Sequence, residues 1–289
     1  MPRIALATAS KYPDLTDDDR HLLAPLAQRN IQADPAIWTD ASRNWASYDA
    51  VIVRSCWDYH LQPEKFLHWV SHLEELKVPV FNCADIIRQN ANKTYLRELE
   101  AKGIAIVPTL WAEPGQQISL NDQLRELAWP QAVVKPRISA TAYRTQLVTS
   151  ENASSAQALF DDLRQGSGVM VQKFMDSIAT EGEWSLMFFA GEFSHAVIKR
   201  PKPGDFRVQN DFGGTAQPAY PPPNVLAAAT RAVESVDATL YARVDGVIDQ
   251  GQFRLMELEL IEPAVFLSVH QAAPARFAEA ISQVLKTTI

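Results

Sequence analysis

Near its C-terminal end the chain places three carboxylates inside two apolar, strand-like runs, and this constrains its fold more than any other feature. Residues 241–248 (Tyr-Ala-Arg-Val-Asp-Gly-Val-Ile) read as a strand, residues 249–252 as a turn, and residues 253–262 as the returning strand. Glu257 and Glu259 are two apart and so share one face of that strand. Asp245 lies on the hairpin partner, where register can bring all three together. Clustered anions among apolar residues are costly unless a cation neutralises them. Hard oxygen ligands suit Mg2+, or Mn2+, which commonly bridges protein carboxylates and nucleotide phosphates. The competing reading is a polar sheet face turned to water; the apolar flanks favour the metal.

Backbone that cradles phosphate is usually glycine-rich, yet the 289 residues include only 11 glycines, and neither GxGxxG nor GxxxxGK[ST] occurs. The two commonest nucleotide fingerprints are excluded by this, although nucleotide binding is not. A net charge of −7 argues against a nucleic-acid partner, which would need a basic stripe. With 47% hydrophobic residues the chain can bury a sizeable core, and its length suits one large enzyme or two to three small domains. Cys56 and Cys83 both sit in apolar or aromatic surroundings and read as small buried hydrophobes, with no disulfide framework. No apolar run approaches the roughly 18 residues of a membrane helix. The expectation is a soluble, cytoplasmic protein with no membrane partner.

The first third alternates strand and helix. Residues 3–7, 49–54 and 78–82 read as buried strands. Residues 16–27 read as a helix that Thr16 or a neighbouring Asp would cap, and residues 63–76 as a second helix with Pro63 in its first turn. Such alternation implies a parallel sheet with right-handed crossovers, and in such sheets ligands sit beyond the carboxyl ends of the strands. There the chain carries Arg54, Trp57, Asp58 and Tyr59. Arg54 suits a carboxylate and Asp58 an amine, so these four are the candidate substrate residues; a helix cap with surface aromatics is the plainer reading.

Residues 92–103 read as a helix closed by Gly103, residues 104–109 as a strand, and residues 132–136 as a strand ending on Lys135. Residues 137–145 form a polar, hairpin-like loop. Strands follow at 168–175, 183–190 and 194–199, then a polar loop at 204–214 and a helix over 225–240.

These residues, in this order, resemble the ATP-grasp superfamily, and within it the glutathione-synthetase-like and D-alanine–D-alanine-ligase-like enzymes. The resemblance covers the whole chain, although the N-terminal third matches in architecture alone. It implies an α/β chain, α+β in its ATP-binding part, with an N-terminal open parallel domain (1–85), a lid subdomain (86–172) and a C-terminal subdomain with the metal site (173–289). It places Lys93 and Lys135 on the ATP phosphates, Gln172, Lys173, Phe174 and Met175 on the adenine, Glu183 on the ribose, and Lys199 and Arg243 toward the phosphates. The metal ligands fall on Asp245, Glu257 and Glu259, with Glu262 an open question. Two departures are visible: Glu259 stands where an Asn is usual, and the lid loop lacks glycine, so Ser139, Thr141 and Arg144 would hold the terminal phosphate. Short runs such as Val-Lys-Pro-Arg-Ile-Ser-Ala and Met-Glu-Leu-Glu-Leu-Ile-Glu-Pro are similar to the cycloserine-biosynthesis branch, the O-ureido-serine cyclo-ligase type.

The implied activity is ATP-dependent ligation of a carboxylate to an amine through an acyl phosphate, on a small amino-acid-like substrate, either cyclised or joined to a second molecule. Arg207 and Arg243 would stabilise charge on the transferring group. His195 and His270 would at most assist proton transfer and read more simply as structural. Many relatives are dimers, so a homodimer is possible. The alternatives are a phosphoryl transferase on the same scaffold and a non-catalytic ATP-binding module.

Overall fold

A computed structural model describes residues 1–288, without the side chain of Asn210. The N-terminal strands β1 (Arg3–Thr8), β2 (Gln32–Ile37), β3 (Ala50–Ser55) and β4 (Val80–Phe81) form a four-stranded sheet in the order β2-β1-β3-β4. Every pairing in it is parallel. The sequence hides β2, because Pro35 and its polar neighbours break the apolar signal; Pro35 is tolerated because β2 is an edge strand. The stretch 16–27 is two short helices, Asp17–Arg20 and Leu23–Gln28. Pro25 cannot donate to the His21 carbonyl, so the chain turns there and restarts. Thr16 does cap the first, its hydroxyl accepting from the Asp19 amide at 3.1 Å. The helix Pro63–Glu75 buries Phe66, Trp69, Val70 and Leu73 against Val51 and Val53 of β3.

A second four-stranded sheet holds β5 (Thr109–Ala112), β6 (Gln131–Pro136), β7 (Gln146–Thr149) and β8 (Val169–Lys173), in the antiparallel order β5-β8-β6-β7. The helix Ala153–Gln165 packs Ala156, Phe160 and Leu163 onto it. The strand expected over 104–109 is displaced by Pro108. Residues 105–107 pair with Leu255 of the C-terminal sheet described below, and pairing in this second sheet, which covers the expected lid stretch, begins only at Thr109. The helix expected over 92–103 is Tyr95–Ala101, with Gly103 beyond it at φ +85°.

The third sheet, β9 (Glu183–Phe189), β10 (Glu192–Arg200), β11 (Thr215–Ala219), β12 (Tyr241–Asp249) and β13 (Gln252–Glu259), is antiparallel in the order β11-β10-β9-β12-β13. The helix Pro223–Glu234 covers one face through Val225, Ala229 and Val233 and stops short of the expected Leu240. An unanticipated helix, Ala273–Thr288, inserts Phe277 and Ile281 among Ile4 and Leu6 of β1 and Met187 and Tyr241 of the third sheet. The N-terminal and C-terminal regions therefore share one core. Cys56 is buried as expected, whereas Cys83, at the start of the helix Ala84–Asn90, is exposed. Among the described residues, no helix is long and apolar enough to cross a membrane.

Candidate active site

The β12–β13 hairpin turns on Gln250 and Gly251, both at positive φ, as a two-residue turn of type I′ requires. Its register sets Asp245 opposite Glu257 and Arg243 opposite Glu259. Between Asp245 and Gly246 the pairing slips, leaving Met256 as an extra residue on β13. Such a bulge re-aims side chains. Met256 and Glu257 consequently face the same cleft, which alternation alone does not allow. One carboxylate oxygen each of Asp245, Glu257 and Glu259 lies within 4.8 Å of the others.

The cleft, about 420 Å3, opens between the lid sheet and the third sheet. Lys93 and Lys135 converge on Glu257 Oε1 at 3.5 and 3.4 Å, and Lys93 also donates to the Ser139 carbonyl at 2.6 Å. Lys199 joins Glu183 (2.5 Å) and Asp245 (3.4 Å). Arg243 donates to Asp245 (2.9 Å) and Glu259 (2.5 Å), and the Ser185 hydroxyl closes on Asp245. Burial opposes all these charges, and the local balance decides each one. Burial and neighbouring Lys93 lower the Lys135 ammonium although Glu257 opposes them. Against burial, Lys93 and Lys135 hold Glu257 below its ordinary value. Arg243 and Lys199 do the same for Asp245. Glu259 goes the other way, to about 7, because burial, Asp245 and Glu257 together outweigh Arg243.

That imbalance is the test of fit for a cation. Three converging, desolvated carboxylates, one of them short of positive charge, suit a hard divalent ion. The residues present therefore fit magnesium or manganese.

The cleft brings together Lys93, Lys135, Ser139, Gln172, Lys173, Phe174, Met175, Glu183, Lys199, Arg207, Arg243 and the three carboxylates, with Trp57 and Tyr59 at its N-terminal-domain end. Arg54 and Asp58 are not in its wall. Arg54 is almost fully buried and spends its guanidinium on Asp19 (3.0 Å) and the Pro263 carbonyl (2.8 Å). Asp58 accepts from Trp38 Nε1 at 2.7 Å. A strand exit carries both side chains, but Arg54 is turned inward by burial and half-buried Asp58 has one carboxylate oxygen engaged by Trp38. Arg144 likewise turns away and pairs with Asp162 inside the lid, while Ser139 and Thr141 stay at the cleft.

Arg207 is held by Asp205 through two bonds (3.0 and 2.9 Å) and lies over the Phe212 ring at 3.7 Å. His195 lies outside the cleft, where Nε2 donates to the Val265 and Phe266 carbonyls (2.9 and 3.1 Å). Burial lowers its pKa to about 4, so it stays neutral and structural. His270 accepts from the Ala272 amide and is also outside. Sequence reasoning missed Val133, Ile178 and Met256, which also line the cleft. Val133 and Ile178 carried only an ordinary core signal, and the bulge that exposes Met256 carried none.

The N-terminal domain family of the D-cycloserine synthetase DcsG matches residues 4–82. Over its whole length the chain is similar to the cycloserine biosynthesis protein DcsG of Streptomyces lavendulae, with 31% identity covering 99% of this chain and 100% of that protein. The fold is similar to the crystal structure of D-cycloserine synthetase DcsG, at a TM-score of 0.88 and 25% identity, covering 98% of this chain and 99% of that one. A D-alanine–D-alanine ligase from Bacillus anthracis shares the fold at a TM-score of 0.72 and 15% identity, over 100% and 97% of the two chains. The chain therefore belongs to the DcsG family and has the fold of the ATP-grasp ligases.

Proposed function

We propose that this protein is a ligase that joins a carboxylate to an amine on an amino-acid-like substrate, through an acyl phosphate, with magnesium or manganese held by Asp245, Glu257 and Glu259. The observation that carries the reading is the convergence of Lys93 and Lys135 on Glu257 beside the two other carboxylates. A phosphate chain entering there would meet ammonium groups on one side and a metal platform on the other. The apolar Met175, Ile178 and Met256 in the cleft wall suit an adenine, and Glu183 suits the ribose hydroxyls.

The protein's contribution is positioning and charge. Lys93, Lys135 and Lys199 screen the phosphates so that the substrate carboxylate oxygen can approach the γ-phosphorus in line with the departing ADP. A divalent ion on the three carboxylates would supply further neutralisation of the transferring phosphoryl group. Arg243, fixed by Asp245 and Glu259, is pre-organised to stabilise the acyl-phosphate oxygens without reorganising at the moment of reaction. Arg207 reaches the same cleft from the opposite loop. The lid loop 137–145, carrying Ser139 and Thr141, excludes water while the acyl phosphate awaits the amine.

The test is ADP release over a panel of D- and L-amino acids and their side-chain derivatives, with hydroxylamine added to trap activated carboxylate as a hydroxamate. ADP with hydroxamate supports the reading; ADP without it from every active carboxylate contradicts the acyl phosphate. Glu257→Gln should lower magnesium-dependent turnover at least roughly 100-fold, since even groups that only support metal ligands cost 10–100-fold. Turnover at the wild-type level would refute the metal assignment.

A further inference from the structure

We propose that Glu262 recognises the ammonium group of the substrate, and that Arg54 and Trp57 are its positioning residues. The inference rests on the ligase reading above and specifies one end of its substrate.

Six carboxylates line the cleft; Asp211 is exposed, and the other five are buried or half-buried. Four of them have a cation within contact: Glu183 and Asp245 through Lys199, Glu257 through Lys93 and Lys135, and Glu259 through Arg243. The fifth, Glu262, has no ion pair and no side-chain partner among the described residues, its carboxylate meeting only its own backbone amide. Lys93 and Arg243 act on it only from beyond contact, and burial beside Glu259 pushes its pKa to about 8. This end of the cleft is therefore deficient in positive charge, whereas the phosphate end is rich in it.

The backbone that presents Glu262 is held from both sides. Trp57 Nε1 donates to the Glu262 carbonyl at 2.9 Å, and Arg54 donates to the next carbonyl, of Pro263, at 2.8 Å. Arg54 is itself anchored by Asp19, and Trp57 meets the edge of Tyr12 with ring centroids 5.2 Å apart. Two of the four residues that sequence position suggested for substrate contact, Arg54 and Trp57, thus have another use. They fix the peptide from which a free carboxylate enters the cleft, at the end lined by Trp57 and Tyr59. A fixed carboxylate beside aromatic rings suits a primary ammonium, through charge-assisted hydrogen bonding and cation–π attraction. Asp58, the alternative acid at this strand exit, is occupied by Trp38.

The experiment uses the active amino acids of the panel above, each paired with the same acid lacking its amino group. ADP release is measured for the wild type, Glu262→Gln and Glu262→Asp. A charged hydrogen-bonded contact is expected to favour the amino acid by roughly 10–100-fold in kcat/KM. In Glu262→Gln that preference should collapse toward one through a higher KM, with the KM for ATP unchanged, and Glu262→Asp should restore part of it. If Glu262→Gln fails to fold, by circular dichroism, the aspartate variant carries the comparison, with a reduced preference expected. An undiminished preference in the folded variant overturns the inference. A wild type indifferent to the amino group overturns it too but leaves the ligase reading standing. A wild type that releases ADP with no carboxylate overturns both.

Discussion

At the residue scale, the cleft is a balance of buried charges in which single protons matter. Glu259 is one of three converging carboxylates, and with no cation bound its pKa is about 7. An unfolded chain would titrate it near the ordinary ~4.3. Between these values the folded protein holds a proton that the unfolded chain lacks, so stability of the ion-free protein falls as pH rises through that window. Glu262, at about 8, adds to the same trend. Magnesium on the proposed site expels the Glu259 proton, so its affinity should rise by up to about tenfold per pH unit below pH 7 and level off above. Calorimetric titration in two buffers of different ionisation enthalpy reads the proton released. Affinity independent of pH between 5 and 8, with no proton release, would remove Glu259 from the ligand set.

At the scale of elements, the β12–β13 hairpin does most of the positioning, and its bulge depends on Gly246. A Cβ there would lie 2.5 Å from the Arg254 carbonyl oxygen and 2.4 Å from the Phe253 ring. The first is backbone and cannot give way without moving the strand. Gly246→Ala should cost about 1–3 kcal/mol by denaturant unfolding and weaken magnesium binding, because Asp245 and Glu257 face each other across that step. Unchanged unfolding would mean that the hairpin can relax around the methyl. Much of this element was legible in the residues: the turn, the shared face of Glu257 and Glu259, and the approach of Asp245. So were β1, β3, β6 and the helix Pro63–Glu75, where apolar period and chain punctuation agree. What stayed illegible depended on tertiary context. Pro35 hid an edge strand, Pro108 divided one apolar run between two sheets, and a bulge moved Met256 into the cleft. Arg54 and Asp58 had the right strand position, but only packing decides whether a polar side chain at a strand exit faces ligand or core.

At the scale of the molecule, the second sheet is packed on one face by residues of its own stretch, from Ala112 to Val171, while its Met170 and Trp111 join the cluster of the third sheet. The N-terminal and C-terminal sheets share a core through Phe277, which stacks on Phe189 at 4.4 Å and meets Tyr241 at 5.7 Å. Phe277→Ala should cost about 3–5 kcal/mol, and hydrogen exchange should show β1, β9 and β12 losing protection together while β6 and β8 keep theirs. Loss confined to one sheet would contradict a common core. The shared core also keeps the cleft end lined by Trp57 and Tyr59 in fixed relation to the three carboxylates, which the proposed passage of phosphoryl from ATP to the carboxylate, and then of acyl to the amine, requires. The most direct measurement of that central claim is isotope transfer with a substrate labelled by 18O in its carboxylate. One labelled oxygen in each inorganic phosphate released is the predicted result, since the oxygen that bonds to phosphorus leaves with it when the amine displaces phosphate. Unlabelled phosphate accompanying amide formation would contradict an acyl-phosphate ligase.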